Sequence, residues 1–381
     1  MEYRADHVGS LLRPPELLAA RLQHAAGQLG LAELRELEDA CILRALAMQR
    51  ETGIAVLSDG EYRRASWMEA WSRVLAPFEV ADTSGASVNA NIGRWRGAGA
   101  AILEREARAI APRKFIGKKV DVEQAARMTA HEVSFVQQHA GGQPFKVTMP
   151  GVGHLAGNAF KPGMTDQVYP TRMDMARDIA MIQRREIEAL IAQCVPYVQL
   201  DSLRYVMQLA DPERRAAIRA AGIDPEQDLD DTIAADNLAV SGVERRGSII
   251  ALHMCRGNNR STWAAQGSYD PVAERAFGQL EVDRFLLEFD DERSGGFEPL
   301  RFVPEHKTVV LGLISSKTPE LESIDALRRR VDEAARYHPL QNLAISPQCG
   351  FASTEGGNLL SWDEQRRKLE LVVEAARVIW G

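Results

Sequence analysis

Residues 248–261, SIIALHMCRGNNRS, run from an apolar stretch into a histidine and a cysteine two positions apart, then into a polar, glycine-containing loop. In an extended chain successive side chains point to opposite faces, so His253 and Cys255 share one face and Met254 takes the other. An imidazole and a thiol side by side at a strand end are ligand types for a metal ion. Two other segments end in comparable residues. RFLLEFDD (284–291) puts Glu288 after an apolar run, and LAISPQCG (343–350) puts Cys349 at a strand-to-loop turn between Pro347 and Gly350. A carboxylate is costly to bury alone, so a metal or a buried arginine is expected beside Glu288. Zinc takes thiolate, imidazole and carboxylate in tetrahedral array, and its catalytic sites keep one position for substrate. His253, Cys255, Glu288 and Cys349 would supply that set. The His-x-Cys spacing alone is loose; its weight comes from the agreement of three strand ends. Two thiolates and a carboxylate around a dication leave surplus negative charge, which suits a bound, nucleophilic thiolate better than an activated water. Alkylation of a thiol is the chemistry this favours.

Eight short apolar stretches end in polar or reactive residues: 3–10, 54–61, 144–151, 196–202, 248–255, 284–291, 308–316 and 343–350. Between several of them lie apolar residues at helical spacing, as in LAELRELEDACILRALAMQRETG, MDMARDIAMIQRREIEALIAQ and SWDEQRRKLELVVEAARVIW. The last opens with Ser361 and Glu364 in a capping-box arrangement. Near-continuous Val/Ile/Leu strands alternating with helices predict a parallel sheet covered by helices, and eight repeats predict closure into a (β/α)₈ TIM barrel. Residues 76–143 are too irregular for one crossover helix and are expected to form a loop or small hairpin insertion. No Pro/Ser-rich linker interrupts the chain, so one catalytic domain over 1–381 is expected. The chemistry of such a barrel sits at the C-terminal ends of its strands, which here gather His7, Ser10, Asp59, Glu61, Asp201, His253, Cys255, Glu288, Ser315, Ser316 and Cys349 at one mouth.

The composition narrows the function classes. A 45% apolar and 26% charged chain of 381 residues has ample material for a core, and a formal charge of −7 with scattered Arg and Lys gives no footprint for nucleic acid or anionic lipid. The first residues lack the pattern of a secretory signal, and nowhere do eighteen apolar residues run together, so a cytoplasmic protein is expected. Four widely spaced cysteines argue for free thiols or ligands rather than a disulfide scaffold. Cys41 and Cys194 lie on helical patterns and are expected to be buried structural residues. His306 and His338 are expected in solvent, and His24, His131 and His139 on helix surfaces. Trp67, Trp71, Asn258, Arg256 and Trp263 are candidates for the wall of a second-substrate pocket, with Arg256 or Arg204 able to receive a carboxylate or sulfonate. Homo-oligomerisation is left open.

HVGSLLRP, SDGEYRR, YVQLD, LHMCRGN, FLLEFDDERSG, VVLGLISSK and SPQCGF together resemble the cobalamin-independent methionine synthases, specifically their catalytic C-terminal barrel and its short single-barrel relatives. The HMC and PQCG pair is the specific part. The resemblance implies a methionine synthase/uroporphyrinogen decarboxylase-like barrel in which His253, Cys255, Glu288 and Cys349 hold Zn²⁺ and the ion binds the thiol of homocysteine. It also implies that Ser10, Glu61 and Asp201 bind the amino-acid part of that substrate, with methyltetrahydrofolate as a carbon donor. Two departures stand out: Ser202 follows Asp201 where the family usually has an acidic residue, and GLISS places Ser315 where an Asp-Ile-His-Ser stretch carries a proton-donating histidine. The short relatives include epoxyalkane:coenzyme M transferases, so thiol addition to an epoxide is the alternative activity. A metal-free decarboxylase disagrees with the HMC/PQC pair, and a non-catalytic protein with a structural zinc is the alternative from another class.

Overall fold

The apolar stretches of the second part of the chain form six parallel strands: β1 (Lys146–Pro150), β2 (Tyr197–Ser202), β3 (Ile249–Met254), β4 (Arg284–Glu288), β5 (Thr308–Ile314) and β6 (Leu343–Pro347), neighbours in that order. The computed structural model describes residues 3–82, 95–106 and 114–381. The two N-terminal stretches complete the barrel through single bridges rather than full ladders. Ala5 bridges Ile345 of β6, Leu57 bridges Phe145 beside β1, and the Ala55 N–H donates to Ala5 O at 3.2 Å. Glycines cut these two staves short: Gly9 and Gly60 have φ of 127° and 69°, which a strand does not accommodate. The fold is a (β/α)₈ TIM barrel.

Helices α1 (Pro15–Ala25), α2 (Leu31–Thr52), α3 (Ala130–His139), α4 (Arg172–Ala192), α5 (Pro225–Val240), α6 (Asp270–Gln279), α7 (Ile324–Ala334) and α8 (Trp362–Trp380) flank it. The capping box at Ser361 is formed, its hydroxyl accepting from the Glu364 N–H. The insertion is narrower than 76–143. Its last part is α3, the crossover helix between the second stave and β1, which its polar sequence AHEVSFVQQH concealed. Before it, Glu79–Ala81 pairs antiparallel with Lys114–Ile116, and Arg96–Gly97 pairs with Thr262–Trp263. Residues 83–94 and 107–113 of the expected insertion lie outside the described residues. The β4-to-β5 crossover carries only the 3₁₀ turns Glu292–Ser294 and Glu298–Phe302. No helix among the described residues is long and apolar enough to cross a membrane.

Strand alternation sorts side chains into two buried clusters. Ile250, Leu252 and Met254 of β3 join the large core under the helices, whereas Ala251 packs inside the barrel with Val8, Val56, Leu286, Val310 and Ala344. Inside, each stave climbs in steps of two residues. Asp6, Lys146, Tyr197 and Arg284 form a floor; Val8, Gln199, Ala251 and Leu286 lie above it; Ser10, Asp201, His253 and Glu288 reach the mouth. The floor is a closed polar network. Asp6 Oδ1 accepts from Lys146 Nζ at 2.6 Å, and its Oδ2 accepts from Tyr197 Oη at 2.9 Å and Arg284 Nη1 at 3.1 Å.

Burial raises the Asp6 carboxyl, and Lys146 and then Arg284 outweigh it, holding the group below its ordinary value. A depressed carboxylate contributes stability that is complete above its unfolded pKa of about 4 and is lost as pH falls through the lower folded value. Breaking such a pair strands a buried charge. Lys146→Met is therefore expected to destabilise the fold by about 3 kcal/mol at neutral pH and to flatten its acid dependence, as read from denaturant midpoints between pH 3 and 7. An unchanged midpoint would remove the floor from the account of stability.

Candidate metal centre and substrate pocket

The ends of β3, β4 and β6 deliver the expected donors to one point. His253 is the penultimate residue of β3 with Cys255 just beyond it, Glu288 closes β4, and Cys349 follows β6. One ligand atom from each lies within 4.8 Å of the others, and all four residues are buried. The Cys255 and Cys349 sulfurs are 3.5 Å apart. That is far beyond a disulfide bond of about 2.05 Å and close to the roughly 3.8 Å that two sulfurs at 2.3 Å from a tetrahedral zinc would show. His253 Nδ1 meets Leu286 O at 3.2 Å, which fixes the ring, while Nε2 is buried without a partner. Glu288 Oε1 accepts from the Arg256 N–H at 3.0 Å, and its Oε2 is likewise partnerless. Orphaned acceptors beside two touching sulfurs make a donor set that could hold a metal ion.

The electrostatics agree with that fit. Hydrogen bonding from Cys255 and the neighbouring His253 hold the Cys349 thiol well below its ordinary range against burial. The same sulfur contact, with burial, pushes Cys255 up. Burial lowers the His253 imidazole, but Cys349 outweighs it and raises it to about 9. Burial also raises Glu288. Without a dication the cluster retains protons; with one, they are replaced.

The same cavity wall carries Ser10, Glu61 and Asp201 beside His253, Cys255 and Cys349, with Trp67, Trp95 and Leu203 as its apolar part. Glu61 has φ of 60°, a conformation that a glutamate adopts at a cost of order 1–3 kcal/mol. It is held there by neighbours. Thr148 Oγ1 donates to its Oε1 at 2.7 Å, and Arg64, 3.9 Å away, is clamped by Glu132 at 2.8 and 2.5 Å. Glu61 Oε2 has no partner. Asp201 accepts from Gln199 Nε2 at 2.8 Å; burial first, and Glu61 among its neighbours, raise its carboxyl to about 7, against the opposing pull of His253. Two buried carboxylates sharing one cavity call for a cationic guest. Gly350 lets Ser10 reach this wall, since a Cβ there would stand 2.0 Å from Ser10 Oγ.

Several sequence expectations resolve differently. Arg204, a candidate receiver of a substrate anion, forks onto Asp228 at 2.7 and 2.5 Å. Arg256 is fully buried, bonded to Tyr269 Oη, Glu288 O and Gly267 O, and neither arginine lines the cavity of the cluster. Trp71 is fully buried and donates to Pro150 O at 3.1 Å, away from the mouth, whereas Trp67 and Asn258 do line the cavity. Trp263 packs against the guanidinium groups of Arg96 and Arg293. His338 is buried with Nε2 on Lys307 O at 2.9 Å rather than solvated, and Cys194 is exposed rather than structural. Sequence reading missed Thr148, Gln199, Arg64 and Trp95. The first two lie at period-two spacing above Lys146 and Tyr197, a signal that inward-facing polar residues in these strands carry.

A family model described as the cobalamin-independent synthase catalytic domain matches residues 159–378. The Bacillus subtilis protein YxjH, whose name calls it uncharacterized, is 37% identical over 384 residues, covering 99% of this chain and 95% of that one. The crystal structure of the putative vitamin-B12-independent methionine synthase from Listeria monocytogenes superposes with a TM-score of 0.70 at 26% identity, covering 100% of this chain and 98% of that chain. The 5-methyltetrahydropteroyltriglutamate–homocysteine methyltransferase of Nitratidesulfovibrio vulgaris is 24% identical over 374 residues, which are 97% of this chain and 40% of that longer protein. With its barrel, its His-Cys-Glu-Cys cluster and a family match over more than half its length, the chain belongs to the cobalamin-independent synthase catalytic-domain family, a family of methyltransferases.

Proposed function

We propose that the chain is a zinc-dependent alkyltransferase, one catalytic barrel over 1–381, that moves a methyl or related carbon group onto the sulfur of a small amino-acid thiol, homocysteine. One observation carries the reading: a single cavity is lined both by residues of the sulfur-rich donor set and by two buried carboxylates, Glu61 and Asp201. His253, Cys255, Glu288 and Cys349 would hold the ion. When bound, zinc supplies the positive charge that stabilises a thiol sulfur as its thiolate near neutral pH. Glu61 and Asp201 receive the ammonium through charge-assisted hydrogen bonds, and Ser10 Oγ is available to the substrate carboxylate. Trp67, Trp95 and Leu203 shield the reacting sulfur from water and leave an aromatic wall for the incoming carbon donor. The name of the Nitratidesulfovibrio relative supports homocysteine as acceptor and a methyltetrahydropteroyl donor.

A second reading, addition of a thiol to an epoxide, draws on one position. Ser315 stands where the family resemblance implies a histidine acid, and its hydroxyl instead donates to Asp290 Oδ2 at 3.3 Å. Direct assay of thiol consumption with methyltetrahydrofolate against epoxides separates the two.

Protein purified without chelators is expected to carry one zinc per chain, and Cys255→Ala and Cys349→Ala are each expected to lose both metal and activity. Retention of both by either variant would end the zinc reading. Losing a charge-assisted hydrogen bond costs about 1.5–3 kcal/mol. Glu61→Gln and Asp201→Asn are thus each expected to weaken homocysteine roughly 10- to 100-fold, while binding of a thiol lacking the amino group changes little. Equal weakening of both thiols would contradict the assignment of the carboxylates.

A further inference from the structure

Lys317 lies just past the end of β5, and nothing in the function proposed so far uses it. It is 8% exposed, and its Nζ has no hydrogen-bond partner. A lysine on a long flexible stem ordinarily carries its ammonium to water, and leaving one buried and unpaired is costly. The backbone keeps it in place. The Lys317 N–H donates to Ser315 Oγ at 3.3 Å, and the Ser316 N–H donates to Gln348 Oε1 at 2.6 Å, tying the loop to the residue beside Cys349. A buried acceptor at the adjoining end of β4, Glu288 Oε2, also lacks a partner, whereas Asp290 Oδ1 just beyond it stands 3.8 Å from Arg293 Nη2. β5 pairs with β4, Gly312 standing level with Glu288, so the loop that carries Lys317 adjoins the donor set.

We propose that Lys317 is the counter-cation of the His253, Cys255, Glu288 and Cys349 donor set, offsetting its surplus negative charge and so governing how readily an incoming thiol binds as its anion. The inference rests on the zinc-and-thiol reading. Two thiolates and a carboxylate against a dication sum to about −1. When a thiol binds, its S–H bond breaks, the sulfur keeps the electron pair and the proton leaves to solvent, so the sum becomes about −2. A buried ammonium nearby returns it towards −1. A thioether product brings no charge, so Lys317 favours the acceptor over the product and helps the alkylated sulfur to leave.

The test uses cobalt-substituted protein, titrated separately with homocysteine and with methionine and followed by absorption, together with proton release measured by an indicator dye. Lys317→Met is expected to retain the metal and the starting spectrum and to lose roughly tenfold or more in homocysteine affinity, with proton release shifted to higher pH. Methionine affinity is expected to change less than about twofold on the same electrostatic ground, and Lys317→Arg is expected to restore most of the loss. Lys317→Gln gives the same comparison should the methionine variant fail to fold. Unchanged homocysteine affinity, or equal weakening of both ligands, overturns the proposal alone. A wild-type protein that takes up neither zinc nor cobalt overturns the zinc reading, and this inference with it, before any thiol is added.

Discussion

Two sulfurs 3.5 Å apart, with an imidazole nitrogen and a carboxylate oxygen orphaned beside them, form an arrangement that a protein interior does not tolerate unaided. Each group could be satisfied singly by a hydrogen bond. Together they crowd into one buried point, where a single cation would satisfy them at once. The barrel supplies the geometry for this, because parallel strands with a period of two bring alternate residues to the same inner face, and adjacent strands fix their relative heights. Asp201 stands level with His253, and Glu288 with Gly312, through the ladder itself. No loop has to find its place for the three strand-borne groups; only Cys255 and Cys349 lie just beyond strand ends.

Below the mouth, the barrel interior carries a second set of charges. Asp6, Lys146 and Arg284 with Tyr197 form a floor in which both Asp6 oxygens are paired, in contrast with the partnerless Oε2 atoms of Glu61 and Glu288 above. The contrast has a physical meaning. Paired buried charges hold position and cost little in the folded state once formed, whereas unpaired ones remain available for a guest. Between the two lies a layer of Val8, Ala251 and Leu286 that Gln199 crosses with hydrogen bonds, accepting from Lys146 Nζ at 2.9 Å and donating to Asp201 at 2.8 Å. The strained Glu61, braced by Thr148 and by the Arg64–Glu132 clamp, belongs to the available set: its backbone is held where a free carboxylate oxygen faces the cavity.

Much of this was legible in the chain. Strand alternation around His253 and Cys255, the apolar run before Glu288 and the turn at Cys349 announced the metal-type cluster, and the eight apolar stretches announced the barrel. What escaped reading did so for identifiable reasons. Helices α3 and α5 are polar enough that their periodicity is weak, and the two N-terminal staves hold by single bridges because glycines interrupt them. Arginines were the least legible of all. Arg204 and Arg256 occupy sequence positions next to site residues, yet each is spent on partners far along the chain, Asp228 and Tyr269, which only the tertiary fold brings near. Trp71 likewise faces the core although Trp67, four residues earlier, faces the cavity, because the short helix Glu69–Leu75 turns it inward.

The most direct measurement is zinc K-edge X-ray absorption of the protein with and without homocysteine. Two sulfur neighbours with a nitrogen and an oxygen before the thiol is added, and three sulfurs afterwards, are expected if His253, Cys255, Glu288 and Cys349 form one centre that accepts the substrate sulfur. A sulfur count other than two at the start, or one that does not rise with the thiol, would contradict it.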